Sequence, residues 1–291
     1  MPVPPVVIVT GANSGIGRAA CAQLAAAGAE VVMVCRNRER GEEARTSIAR
    51  ETGREPALML ADLSLQASIR AFVEDFRRRY NRLEVLINNA AAFDASLTRR
   101  TLTPEGFETV FATNHLGPFL LTSLLAGLLR ASAPARILNV SSEGLRVFPR
   151  LRLEPDNLNG ERHYSRTHAY YHSKLAQVMF TLEAAERLRS SGVTANCIRV
   201  TNVALSESRL RAFSWCARAA YRIKRSFAIT PERMAEAYVR LALATEFAGI
   251  TGKHFDQDCR EVPLPAGAQD AAARKLLWSL SAALTSAPEW E

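Results

Sequence analysis

The chain lacks a long hydrophobic run, a linker and a cysteine pattern, and each absence excludes a class of protein. No uninterrupted apolar stretch reaches bilayer length, so no membrane-spanning segment is expected. Val6 to Thr10 already reads as a core strand, which leaves no room in front of it for a signal peptide, and a cytoplasmic protein is the expectation. The five cysteines are scattered without CxxC or Cys/His spacing, so neither a disulfide framework nor a zinc site is indicated and the thiols are expected to be reduced and mostly buried. The five histidines show no metal-ligand spacing either, so no metal and no His-dependent catalysis is expected. With no Gly/Ser- or Pro-rich linker and no internal repeat, residues 1–291 are expected to form one domain.

What is present is an ordinary globular composition, 48% hydrophobic and 23% charged, which excludes disorder. The net charge of +8 is unevenly placed. Six cations and no acid fall between Arg209 and Arg225, with Arg211, Arg218, Arg222 and Arg225 on one helical face and Leu210, Phe213, Ala217, Ala220 and Tyr221 on another. This basic amphipathic helix over 209–227 has two readings: a substrate-pocket lid with a solvated outer face, which the composition favours, or peripheral contact with an anionic membrane surface. Nucleic acid is not an expected partner, because the cations lack interleaved stacking aromatics.

Short apolar runs at Val6 to Thr10, Glu30 to Cys35, Ala57 to Leu60, Leu83 to Asn88, Arg136 to Ser141 and Thr194 to Val200 alternate with longer stretches of helical periodicity. Continuous Val, Ile and Leu imply strands buried on both faces. The pattern predicts an α/β fold, a doubly wound parallel sheet with helices on both faces and right-handed crossovers. Two irregular segments, about 146–167 and 201–229, are expected to shape a substrate pocket. Thr230 as N-cap and Pro231 at the first helical position predict a helix after the second of them.

After the first strand comes Thr10-Gly11-Ala12-Asn13-Ser14-Gly15-Ile16-Gly17, followed by a helical stretch. Strand, glycine turn and helix in that order let backbone N–H groups approach a pyrophosphate at the positive end of the helix. The second strand ends in Cys35-Arg36-Asn37, with no carboxylate for the adenosine ribose of NAD. Arg36, assisted by Arg38, can instead pair with the 2′-phosphate of NADP(H); the alternative is a solvated surface arginine. Asp62-Leu63, past the third strand, suits adenine contacts or a polar turn.

Tyr170 and Lys174 lie four residues apart in a helical stretch running to about Ser190, and so share a face. An ammonium near a phenol favours the phenolate, so Lys174 is expected to lower the Tyr170 pKa from about 10 and let Tyr170 exchange a proton with substrate. Ser142, closing the fifth strand, places a hydroxyl where a carbonyl can be polarised; its alternative is a strand-end turn. Asn114 falls inside a helical pattern that disfavours an amide, so it is expected to make a specific hydrogen bond, catalytic or structural.

TGANSGIG, ADL, NNA, NHLG, VSS and YYHSK, in this order and spacing, resemble the short-chain dehydrogenase/reductase family across essentially the whole chain. The RN after the second strand, the long gap from Ser142 to Tyr170, AYYHSKLA, and the tail Thr251 to Phe255 with Leu276-Leu277-Trp278 resemble its retinol dehydrogenase-like branch, many members of which prefer NADP(H). The resemblance implies a Rossmann-like fold in which Ser142 orients the substrate oxygen and Tyr170 exchanges the proton. Lys174 would bind the nicotinamide ribose and Asn114 would hold a water against Lys174. Cofactor contacts are implied for Gly11, Asn13, Ser14, Gly15, Ile16, Gly17, Arg36, Asn37, Asp62, Leu63, Asn89, Ala90, Ala91, Tyr170, Lys174 and Val203. It further implies a homo-oligomer, dimer or tetramer, built on the long helices around Asn114 and Tyr170.

Two departures stand out. Asn88-Asn89-Ala90-Ala91 ends in alanine where the family usually has glycine, and Val200-Thr201-Asn202-Val203 replaces the family's Pro-Gly beside the nicotinamide. The leading expectation is an oxidoreductase passing hydride between NADP(H) and a lipophilic aldehyde, ketone or alcohol. The altered loop motivates an alternative, a cofactor-binding sensor or scaffold without turnover. A third reading keeps the enzyme but makes it an imine reductase or epimerase of a specialised pathway.

Overall fold

The computed structural model describes residues 3–93, 99–204 and 228–290. The basic stretch 209–227, and with it most of the irregular segment 201–229, lies outside the described residues. Seven parallel strands form one sheet in the order β3-β2-β1-β4-β5-β6-β7. They are β1 (Val6–Thr10), β2 (Glu30–Cys35), β3 (Ala57–Leu60), β4 (Val85–Asn88), β5 (Ala135–Ser142), β6 (Val193–Val200) and β7 (His254–Phe255). The first three match the apolar runs residue for residue; β4 begins two residues later, β5 is one residue longer at each end, and β6 begins one residue earlier. β7 has no counterpart in the sequence reading, because two residues carry no periodicity.

Every residue of β1 is buried, and alternate side chains serve opposite layers. Val7 and Val9 pack beneath α1 (Gly15–Ala26), α2 (Arg38–Thr52) and α6 (Pro231–Leu243). Val6 and Ile8 pack against α3 (Gln66–Arg79), α4 (Thr109–Ala131) and α5 (Arg166–Arg187). Thr230 caps α6 by accepting from the Arg233 N–H at 3.2 Å, with Pro231 at its first position, as the sequence predicts. A polar ladder crosses the second layer: Asn88 donates to Thr122 Oγ1 (3.1 Å) and to Asn139 Oδ1 (2.8 Å), and Asn139 to Thr181 Oγ1 (2.9 Å). It ties β4 and β5 to both long helices, and no water is needed to satisfy these donors.

α4 lines the core of the second layer. It is long and apolar enough to cross a membrane by length and composition, although polar residues interrupt the run in sequence; 78% of the relevant window is buried inside the molecule. The apolarity serves the core. Phe119 lies against Phe180 (5.3 Å between ring centroids) and Trp278 (5.0 Å), and truncating such a buried aromatic costs about 3–5 kcal/mol. Trp278 belongs to α7 (Ala271–Thr285), which rests on both α4 and α5. The Arg187 guanidinium lies 4.3 Å above the Trp278 ring, a cation–π contact that covers the indole.

Candidate active site

The crossover point of the sheet lies between β1 and β4, where strand order reverses and a crevice opens at the carboxyl edge. The turns after these strands are built around each other. Thr10 Oγ1 accepts from the Asn89 and Ala90 N–H groups, both at 3.0 Å, and donates to the Ile87 carbonyl at 3.3 Å. Asn89 Nδ2 donates to the Thr10 carbonyl at 2.8 Å. Gly11 has φ +66°, and a Cβ there would lie 2.9 Å from Ala90 Cα. A Cβ on Gly17 would overlap the Gly11 carbonyl oxygen and come within 2.5 Å of Asn89 Nδ2. Both glycines are therefore required by close approach.

Ser14 precedes α1 without capping it, and no acid occupies the first turn of α1. The exposed N–H groups and positive helix end stay available to a pyrophosphate. Gly11, Asn13, Ser14, Gly15 and Ile16 line this turn, with Ile16 half-buried against the core. The residues present fit a dinucleotide. Ala91 is exposed, so the methyl replacing the family's glycine meets no obstruction.

At the β2 end, Arg36 is exposed, with Nε 4.0 Å from Asp62 Oδ2. Asn37 caps α2, its Oδ1 accepting from the Arg40 N–H at 2.9 Å, so its side chain has a structural task. Asp62 Oδ1 accepts from the Ser64 N–H (2.9 Å) and hydroxyl (2.7 Å), making the polar turn considered for it. Leu63 is buried; a Cβ on Gly117 would overlap its carbonyl oxygen, which accounts for the glycine in Asn114-His115-Leu116-Gly117.

Ser165 caps α5, accepting from the His168 N–H, and this start orients Tyr170 and Lys174. Tyr170 is half-buried, with Phe93 edge-on at 4.8 Å and Lys174 Nζ 5.8 Å from its ring centroid. Lys174 is fully buried and donates to the Val140 carbonyl at 2.9 Å. Burial pushes its pKa down to about 8. Burial also pushes the neighbouring Cys197 thiol up to about 12, so that group stays neutral. Ser142, two residues past Val140, accepts from the Gly144 N–H at 3.2 Å. A Cβ on Gly144 would overlap the Tyr171 hydroxyl, so the Ser142 turn sits directly against the helix that carries Tyr170.

Asn114 lies in a π-helical turn, Ala112–Leu116, within α4. A widened turn of this kind often marks a functional site. Asn114 Oδ1 accepts from the Ala92 N–H at 2.6 Å, and Nδ2 donates to the Ala92 carbonyl and to Ser173 Oγ, both at 3.0 Å. Both side-chain N–H groups are engaged, so a water held toward Lys174 would rest on other atoms of this residue. Ser173 in turn donates to the Tyr170 carbonyl at 2.7 Å. Asn114 thus links the loop after β4 to the helix that carries Tyr170 and Lys174.

Val203 pairs with Ile229 across the base of the segment between them, with Ala204 N–H to Ile229 O at 2.9 Å and Ile229 N–H to Asn202 O at 3.0 Å. Thr201 donates to Glu143 Oε2 at 2.6 Å. Phe93, Glu143 and Ser173 contribute to the site, yet sequence reasoning passed over them. Only Ser173 carried a signal, as part of YYHSK.

The short chain dehydrogenase family model matches residues 5–151. Retinol dehydrogenase 14 of Mus musculus is 38% identical over 287 residues, covering 94% of this chain and 84% of its own. Retinol dehydrogenase 11 of Homo sapiens is 39% identical over 284 residues, covering 97% and 86%. Among solved structures, an uncharacterized protein from Mycobacterium Paratuberculosis superposes with a TM-score of 0.74 at 27% identity, over 99% of this chain and 98% of that one. A short chain dehydrogenase from Escherichia coli CFT073 complexed with NADPH shares the fold, with a TM-score of 0.68 at 24% identity, over 87% and 96%. With the glycine cradle at the sheet crossover and Tyr170 and Lys174 on one helix, these likenesses establish that the chain belongs to the short-chain dehydrogenase family of nicotinamide-dependent oxidoreductases, on its retinol dehydrogenase-like side.

Proposed function

We propose that the chain is an NADP(H)-dependent oxidoreductase acting on a lipophilic aldehyde, ketone or alcohol. The observation that carries the substrate class is an exposed apolar rim around the catalytic tyrosine. Phe93, 53% exposed, packs edge-on to Tyr170, and Phe148, 37% exposed, lies 4.6 Å from the Tyr171 ring; Val147 beside it is 74% exposed. Large apolar side chains left in water at an active-site mouth suit a substrate that buries them. The relatives' names, retinol dehydrogenases, point the same way. The cofactor preference is supported by Arg36, an exposed guanidinium at the end of β2, a strand that ends without a carboxylate of its own; Asp62, after β3, stands 4.0 Å from it.

A bound nicotinamide supplies the hydride acceptor or donor. The chain supplies proton and charge control. Tyr170 gives or takes the proton on the substrate oxygen, and Ser142 hydrogen-bonds that oxygen. The Lys174 ammonium, anchored on Val140, stabilises the phenolate developing at Tyr170. Asn114 fixes the relative position of these parts. The complete set of Ser142, Tyr170 and Lys174 argues against a sensor or scaffold without turnover.

Fluorescence titration with NADPH and NADH, followed by turnover assays on retinal and on a small water-soluble aldehyde, tests this reading. NADPH is expected to bind more tightly, Arg36→Ala to weaken NADPH by roughly ten- to a hundredfold while leaving NADH unchanged, and retinal to be the better substrate. Tyr170→Phe is expected to lower kcat by about a hundredfold or more. Tighter binding of NADH, or turnover indifferent to Tyr170→Phe, refutes it. A homo-oligomer is part of the same proposal, and pairing across α4 and α5 would include α7, which lies on both. Light scattering at the 32.0 kDa mass of one chain would remove that element.

A further inference from the structure

Three residues without any spacing motif converge at the entrance to the catalytic helix. Glu154 precedes a short helical turn at Pro155–Asn157, and Gly160, at φ +69°, helps return the chain toward α5. Ser165 then starts α5, and His168 falls in its first turn. His163 Nε2 lies 3.3 Å from Glu154 Oε2, and His168 Nε2 lies 3.0 Å from Glu154 Oε1. The three donor atoms all lie within 4.8 Å of one another.

Ligands of a tetrahedral zinc ion, at bonds of about 2.0–2.1 Å, stand about 3.3 Å apart. Each imidazole stands near that separation from one oxygen of the carboxylate, His163 at 3.3 Å from Oε2 and His168 at 3.0 Å from Oε1, and a single-oxygen set lies within 4.8 Å throughout. The set must contract by small side-chain rotations, which His163, 60% exposed and already packed on the His168 ring at 5.1 Å, makes by giving up its 3.4 Å contact with Asn157 Nδ2.

The carboxylate is held in place from behind. Asn157 is buried and donates to Glu154 Oε2 at 2.9 Å, while its own Oδ1 accepts from the Arg162 N–H at 3.0 Å. The Glu154 N–H donates to His172 Nε2 at 3.0 Å, which occupies that nitrogen, and the His172 ring stacks on His168 at 5.4 Å. The nearby Arg162 guanidinium is paired with Asp156 at 3.1 Å. Outer groups of this kind orient metal ligands.

We propose that Glu154, His163 and His168 form a site for a divalent transition-metal ion, zinc in particular. The ion would staple the 146–167 segment to the first turn of the helix that carries Tyr170. Two imidazoles and one carboxylate suit zinc, whereas magnesium and calcium take all-oxygen sets. Three protein ligands leave the fourth position to water. The ion orders the wall of the pocket and takes no part in hydride transfer, so the proposal stands or falls apart from the assignment of cofactor and substrate.

The test uses the full chain without an affinity tag, stripped with a chelator and titrated with zinc chloride against a chromophoric competitor. One equivalent is expected to bind, with magnesium failing to displace it. His163→Ala and Glu154→Gln are each expected to weaken binding by roughly tenfold or more. His163 is exposed, so its variant keeps the test valid should Glu154→Gln misfold. Zinc should also slow proteolysis within 146–167 in the parent chain and not in His163→Ala. The chain's five cysteines can contribute a background of bound zinc. Binding equal in parent and His163→Ala is that background and overturns the site. Zinc binding without protection of 146–167 overturns the staple.

Discussion

Lys174 donates to the carbonyl of Val140 at 2.9 Å, so the ammonium beside Tyr170 is anchored on the strand that delivers Ser142. The three groups proposed as proton donor, charge and polarising hydroxyl are thereby registered through one contact between α5 and β5. Ser141 repeats the link one residue on, its hydroxyl donating to the Lys174 carbonyl at 3.3 Å.

Holding that ammonium in the interior has a cost that varies with pH. The unfolded chain keeps Lys174 charged up to its ordinary value of 10.5, the folded chain only up to about 8. Between these values the unfolded state binds the extra proton, so stability rises with pH across the window. Below about pH 8 the full penalty is present, roughly 3 kcal/mol. Lys174→Met removes it and loses one hydrogen bond worth about 1 kcal/mol. Urea unfolding should find the variant more stable than the parent at pH 7, with the advantage shrinking toward pH 10.5. A difference independent of pH would show that the ammonium is not desolvated.

The glycine cradle makes a sharper demand. A methyl on Gly17 would overlap the Gly11 carbonyl and crowd Asn89 Nδ2, and neither is the loose end of a flexible chain, since Asn89 is fixed by Thr10. Gly17→Ala is expected to displace the turn and weaken NADPH binding by at least about tenfold, the equivalent of 1.4 kcal/mol. Gly28→Ala meets nothing within 4 Å in space but sits at φ +90°, so it should lower stability while leaving cofactor affinity alone. Fluorescence titration and thermal melts on both variants separate the two effects; equal NADPH affinities would mean that the cradle yields.

The C-terminal helix is held by a histidine that must stay neutral. His115 Nε2 and Ser281 Oγ lie 2.8 Å apart, and burial, with His172 nearby, pushes the His115 pKa from 6.5 down to about 3. From pH 6.5 downward the unfolded chain gains a proton that the folded chain refuses, so stability falls with acidification. Between pH 6.5 and 4 this histidine accounts for a loss of roughly 3 kcal/mol. His115→Gln, which can still hydrogen-bond Ser281, should flatten the slope of stability against pH in that range. An unchanged slope would place the acid sensitivity elsewhere.

What the chain discloses before folding follows from how local each feature is. Strand β1, its glycine turn, the Thr230–Pro231 helix start and the Tyr170–Lys174 face each lie within a few consecutive residues, and each appears where the sequence places it. Asn114 was legible as an amide out of place in a helix, but not as part of a π-turn, because its partner Ala92 is 22 residues away. The Glu154, His163 and His168 cluster was not legible at all. Its histidines have no ligand spacing, and only the turn at Pro155–Asn157 and the cap at Ser165 bring them together. Side chains that meet through irregular backbone leave no period to read.

The segment where this chain departs from its family offers the last test. Thr201 donates to Glu143 Oε2 at 2.6 Å, and Glu143 immediately follows Ser142, so the loop after β6 is tied to the turn of the polarising serine. Glu143 keeps Arg146 at 3.2 Å and Arg199 at 3.9 Å, so its charge stays compensated when the threonine hydroxyl is removed. Thr201→Val preserves shape and deletes only the donor. Because Glu143 is partly solvated, the stability change should stay near 1 kcal/mol. The loop and the serine turn lose their common anchor, however, and KM for the carbonyl substrate should rise several-fold with NADPH affinity unchanged. A fall in kcat at constant KM would instead mean that Thr201 contributes to the transition state. If both constants match the parent's, the contact does not position the site, and the exchange of the family's Pro-Gly for Val200-Thr201 has its effect through the backbone alone.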